Sequence, residues 1–166
     1  MGLEHLKISM PTSIGSEMNI ISHRGNLDGR KPDCENNPTY IQQALDLGFD
    51  VEVDVWYVDG QFFLGHDAPT YLVEPSWFQR KELWCHAKNR EALEEMIVSS
   101  YGITCFWHET DKTTLTSDGF LWMYPGNYSR LGITVWLGKP EETIPHMWGV
   151  CTDYPKEWRT HVNSTT

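Results

Sequence analysis

The residues best equipped for chemistry lie in VEVDVWYVDGQFFLGHD, Val51–Asp67. Apolar residues alternate there with Glu52, Asp54 and Trp56, and successive strand side chains point to opposite faces, so Glu52 and Asp54 share one face. Two carboxylates about 7 Å apart along a strand repel each other unless a proton, water or cation compensates, and paired oxygens suit a hard divalent ion. A solvated strand face is the simpler account of an isolated E-x-D. Here Asp59-Gly60, a strong hairpin signal, folds the chain back and brings His66-Asp67 towards the carboxylates.

Two further polar groups fall at strand ends. The short apolar run Asn19–Ser22 delivers His23-Arg24-Gly25, which taken singly read as a structural histidine, a surface charge and a turn residue. In ELWCHAK, Glu82–Lys88, alternation puts Trp84, His86 and Lys88 on one face and Leu83, Cys85 and Ala87 on the other.

The elements that must position these groups follow from local signals. Asn37 before Pro38 predicts a helix start, and Tyr40, Ile41, Ala44, Leu45 and Leu47 recur at helical spacing until Gly48, so a helix is expected over 38–47. Strand, helix and strand make a βα unit leading into a parallel strand with a right-handed crossover. Val51, Val53 and Val55 then face an apolar layer away from the carboxylates. Residues 68–81 read as a loop with a short helix, and Asn89 caps a helix over Arg90–Ser99. Beyond it, 103–107, 119–124 and 133–137 read as short strands whose connections are too short or polar for full covering helices. One or two helical turns are expected in Pro140–His146, before a last strand at Trp148–Thr152. About seven strands result, mostly parallel.

With 166 residues and 40% hydrophobic content, the chain suits one domain with a real core. Residues 1–17 read as an N-terminal extension ahead of Met18, 18–158 as the domain and 159–166 as a C-terminal tail. A net charge of −10 opposes nucleic acid as a partner. No apolar run predicts stable membrane insertion, and four scattered cysteines without a C-x-x-C pattern predict reduced thiols in a cytoplasmic protein.

His23-Arg24-Gly25, Glu35-Asn36, Glu52-x-Asp54, Asp59-Gly60, His66-Asp67 and Thr152-Asp153-x-Pro155, in this order, resemble the glycerophosphodiester phosphodiesterase family, within the phospholipase-C-like phosphodiesterases. The resemblance covers nearly all of residues 20–155. It implies that His23 and His66 form a general acid/base pair, that Arg24 and Lys88 bind phosphate, and that Glu52 and Asp54 ligate a metal. The family's third strand carries E-x-K, where this chain has His86-x-Lys88. His86 therefore stands as the third ligand, and nitrogen in place of oxygen favours magnesium or manganese over calcium, with zinc also compatible. Trp136 matches the aromatic position of the family's late W-T motif, with Leu137 in place of the threonine.

The implied fold is α/β, a TIM-type (β/α) barrel with active-site residues at the C-terminal strand ends. Such barrels usually need roughly 200 or more residues, so a small or incomplete barrel with helices missing in 103–147 is expected. Apolar strand faces left bare would favour a homodimer. The implied activity is metal-dependent hydrolysis of a small-molecule phosphodiester, foremost a glycerophosphodiester, to a phosphomonoester and an alcohol. The alternatives are a catalytically impaired barrel that binds a phosphorylated ligand, and a membrane-surface protein using Trp77 and Phe78, which the acidic charge opposes.

Overall fold

The computed structural model describes residues 18–165. Strand β1, Asn19–His23, is followed by helix α1, Pro38–Asp46, and strand β2, Asp50–Val58. The helix begins where its sequence directs: the Asn37 side chain accepts from the N–H of Thr39 at 2.9 Å and of Tyr40 at 3.4 Å. Strands β1 and β2 pair in parallel, with His23 beside Glu52. The turn after β2 places Asp59 and Gly60 at φ 51° and 79°, the left-handed pair that a tight hairpin requires. It returns the chain as β3, Gln61–Leu64, antiparallel to β2.

Then come β4, Tyr71–Val73; a 3₁₀ turn, Pro75–Gln79; β5, Leu83–Ala87; and α2, Arg90–Val98, capped by Asn89. Four short strands follow, β6 (Cys105–Phe106), β7 (Thr113–Leu115), β8 (Leu121–Met123) and β9 (Gly132–Val135), then β10 (Gly149–Thr152) and α3 (Pro155–Thr165). The ten strands form one curled mixed sheet. Its parallel run is β6-β5-β2-β1-β10-β9-β8, with β7 antiparallel on the far edge and β3 and β4 added where β2 outlasts β1. Between β6 and the β7 region single hydrogen bonds stand where a ladder would, Ser117 N–H to the Cys105 carbonyl at 2.8 Å and Thr114 Oγ1 to the Trp107 carbonyl at 2.9 Å.

Strand alternation divides the interior. Val51, Val53 and Val55 pack with Ile41, Ala44, Ala92 and Met96 under α1 and α2. On the opposite face Ile21, Trp84, Phe106, Trp122, Ile133 and Cys151 form an aromatic-rich layer. Further along the same strands, this face changes from apolar to charged.

Several sequence expectations give way here. The mixed α/β architecture with a curled sheet stands, but three of its strand pairings, β2–β3, β3–β4 and β7–β8, are antiparallel. Residues 159–165, expected as a tail, belong to α3, whose Trp158 is fully buried and donates its indole N–H to the Gly138 carbonyl at 3.0 Å. No helix lies between α2 and α3 among the described residues, so the turns expected in Pro140–His146 are absent. The extension at 1–17 lies outside the described residues. Among those described, no helix is long and apolar enough to cross a membrane.

Candidate active site

Glu52 and Asp54 emerge from β2 just beyond the aromatic layer, both buried, with His86 of β5 registered beside Asp54. One ligand atom from each of Glu52, Asp54 and His86 lies within 4.8 Å of the others. Asp54 Oδ2 meets Arg24 Nε at 2.8 Å and accepts from Asn36 Nδ2 at 2.9 Å. Its Oδ1 faces His86 Nδ1 at 3.2 Å and Lys88 Nζ at 3.4 Å. Glu52 is more loosely held, with Oε1 3.9 Å from His86 Nδ1 and Oε2 3.9 Å from His23 Nε2. Glu52 Oε2 is buried without a hydrogen-bond partner. An orphaned carboxylate oxygen beside a second carboxylate and an imidazole is a donor set that fits a divalent cation.

The two carboxylates differ electrostatically. Burial, reinforced by the Asp54 charge, pushes the Glu52 carboxyl up against the opposing influence of His23, Arg24 and His86. Burial acts the same way on Asp54, but hydrogen bonding to His86 and the charges of Arg24, His86 and Lys88 together hold it well below the usual range.

The loop between β1 and α1 braces this pair through unusual backbone. Arg24 and Asn36 occupy left-handed conformations at φ 55° and 62°, uncommon for non-glycine residues. Asn36 closes a two-way contact with Asp54, donating to its carboxylate and accepting from its backbone N–H at 2.9 Å. Gly25 is at φ 87°, a conformation that favours glycine, and a Cβ there would sit tightly, 3.2 Å from the Ile41 nitrogen. Glu35 receives Arg24 Nη1 at 3.1 Å, Arg30 Nε at 3.2 Å and Asn26 Nδ2 at 3.0 Å. Burial would raise its carboxyl, but the hydrogen bonds from Asn26 and Arg24 and the charges of Arg24 and His23 lower it.

Both predicted acid/base histidines are tied through Nδ1. His23 Nδ1 lies 2.7 Å from Asp153 Oδ1, which also accepts from Asn26 Nδ2 at 2.8 Å. His66 Nδ1 lies 2.6 Å from Asp67 Oδ1, on a far more exposed side chain. A ring held this way keeps Nε2 for proton transfer. His23, Arg24, Glu52, His66, His86 and Lys88 all line one cleft of about 540 Å³, with Asp54 beneath them.

Trp136 does not join them. It follows β9, where alternation turns Val135 and Leu137 into the cleft and Trp136 to the other side, against Trp158 and Tyr128. Two residues were missed. Asp153 belongs to a quoted motif, but its partnership with His23 spans 130 positions. His108 lines the cleft and stacks on His86, ring centroids 4.8 Å apart at 6°. Burial, with the charges of His86 and Lys88, lowers its pKa to about 4, so it is neutral at pH 7. Its available signal was a position just past the strand run Ile103–Trp107, much as His23 follows Asn19–Ser22.

Compared with protein-family models, curated proteins and solved structures, the chain matches none of them. Its chemistry is therefore read from the site itself.

Proposed function

We propose that the chain is a metal-dependent phosphodiesterase acting on a glycerophosphodiester-type substrate, on a trimmed TIM-type barrel. One observation carries this reading: two aspartate-tethered histidines and two cationic side chains line one cleft above a buried carboxylate pair. The location at the C-terminal ends of parallel strands accords with it.

Glu52, Asp54 and His86 would hold one divalent ion, the two carboxylates suiting magnesium or manganese and the imidazole nitrogen also admitting zinc. When bound, such an ion supplies Lewis-acid stabilisation of charge on the non-bridging phosphate oxygens. Arg24 and Lys88 add positive charge at the same end of the cleft. Of His23 and His66, one takes the proton from the attacking water or substrate hydroxyl, and the other returns a proton to the departing alkoxide. With water as nucleophile a phosphomonoester and an alcohol result; with a substrate hydroxyl the alcohol leaves first and a cyclic phosphodiester forms, which water then opens to the phosphomonoester. A second reading, a barrel that binds a phosphorylated ligand without turnover, draws support from the engagement of Arg24 and Lys88 with Asp54, which leaves less of their charge for a substrate.

The deciding experiment measures hydrolysis of bis(p-nitrophenyl) phosphate and glycerophosphocholine, metal-free and with magnesium, manganese, calcium or zinc, beside His23→Ala. Metal-dependent turnover that falls at least about 10²-fold in His23→Ala is expected. No turnover with any ion would favour the binding-only reading.

A further inference from the structure

Asn26 directly follows the His23-Arg24-Gly25 turn and is fully buried, behind the cleft rather than in its lining. A side-chain amide has two hydrogens to give and an oxygen able to accept two, and here all four positions are filled. Asn26 Nδ2 donates to Glu35 Oε1 at 3.0 Å and to Asp153 Oδ1 at 2.8 Å. Its Oδ1 accepts from the Lys31 backbone N–H at 3.1 Å and from the Tyr40 hydroxyl at 3.4 Å. Turning the amide over would set its oxygen against two buried carboxylates, so its orientation is forced. The backbone is tied as well. The Asn26 N–H donates to the His23 carbonyl at 3.0 Å, and its carbonyl accepts from the Ser22 hydroxyl at 2.8 Å.

The two carboxylates that Asn26 reaches stand behind two different cleft residues. Asp153 Oδ1 is the atom that meets His23 Nδ1, and Glu35 takes Arg24 Nη1 on Oε2 while Asn26 holds its Oε1. We propose that Asn26 is a shared positioning residue for His23 and Arg24, one N–H fixing the carboxylate behind the imidazole and the other fixing the carboxylate behind the guanidinium. The amide is suited to this place because it supplies a donor to each buried acid without adding charge. An aspartate there would have no hydrogen to give and would bring a third negative charge, and an apolar residue of similar size would leave both acids a donor short. That His23 serves proton transfer and Arg24 phosphate binding rests on the phosphodiesterase reading; the shared support rests on the hydrogen bonds alone.

Side-chain hydrogen exchange, followed by NMR on the isotope-labelled full chain without metal or substrate, tests this at His23 Nδ1–H and Arg24 Nε–H, each assigned by its loss in His23→Ala or Arg24→Ala. Asn26→Ala should speed both exchanges at least about tenfold, whereas Asp153→Asn acts chiefly on His23 and Glu35→Gln chiefly on Arg24. Asn26→Ser, which also withdraws both amide hydrogens, takes its place if Asn26→Ala does not fold. Tyr40→Phe leaves both N–H donors of Asn26 in place and should leave both rates unchanged, which separates this support from a general loosening of the loop. Either rate unmoved in the Asn26 variant would overturn the inference, as would equal acceleration in Tyr40→Phe. Turnover of bis(p-nitrophenyl) phosphate with manganese is the second readout. There the Asn26 variant should lower kcat at least about tenfold and raise KM at least about threefold, and unchanged values of both in a chain that turns over would also overturn it. Both exchange rates raised, with no phosphodiester hydrolysed by the unaltered chain, would uphold the role of Asn26 while the phosphodiesterase reading falls.

Discussion

Glu52 and Asp54 stand two residues apart on one strand face, and each keeps a buried oxygen without a hydrogen-bond partner, Glu52 Oε2 and Asp54 Oδ1, yet only Asp54 also gathers Arg24, Asn36, His86 and Lys88 within 3.4 Å. That asymmetry makes Asp54 the more firmly held of the two proposed cation ligands. The same logic makes Asp153 a positioning residue for His23. Asp153→Asn should lower kcat at least about 10²-fold, with KM little changed, because the imidazole loses the carboxylate that fixes its tautomer and orientation. An unaltered kcat would reduce Asp153 to a structural role. Acid stability belongs to this scale too. Asp54 and Glu35 both have depressed folded-state pKa values, so their stabilisation is present above their unfolded values near 4 and is lost as pH falls through the folded ones. Thermal melts should therefore show Tm falling below about pH 4.5, and less steeply in Glu35→Gln. Alternation along two strands made Glu52, Asp54, His86 and Lys88 legible in the sequence. The partnership of His23 with Asp153 was not, because it depends on β1 and β10 lying side by side.

Elements with strong local punctuation are readable, and those held by distant contacts are not. Helices α1 and α2 open on Asn37 and Asn89, whose side chains cap the first turn, and the β2–β3 hairpin turns on residues suited to positive φ. Strands β4 and β7, at three residues each, carry too few side chains for a period to register. Helix α3 has only a modest apolar stripe and is anchored through Trp158, packed at 5.3 Å against Trp136 and bonded to Gly138. This anchor makes α3 part of the fold. Trp158→Ala should cost about 3–5 kcal/mol, the range for emptying a buried tryptophan site, and lower Tm by roughly 10 °C. A Tm unchanged within a degree or two would show that α3 docks independently of the core.

At the scale of the whole molecule, the buried charge of the site is set against folding itself. Because burial raises the Glu52 carboxyl, its ionised form costs stability once pH exceeds its unfolded value of 4.5, and a bound cation removes that cost. A ligand that binds only the folded state at 100 times its Kd stabilises by about 2.7 kcal/mol. For a chain of this size that corresponds to a Tm increase of roughly 5–10 °C. Addition of manganese or magnesium should produce that increase near pH 7, and a chelator should reverse it. Glu52→Gln gives the sharper comparison, since it keeps the shape of the side chain and removes the charge. Its metal-free Tm should be no lower than that of the unaltered chain, while its response to the ion should disappear. If Glu52→Gln melts well below the unaltered chain without metal, the Glu52 charge is compensated internally by His23, Arg24 and His86, and the trio is an ion-pair network with no place for a cation.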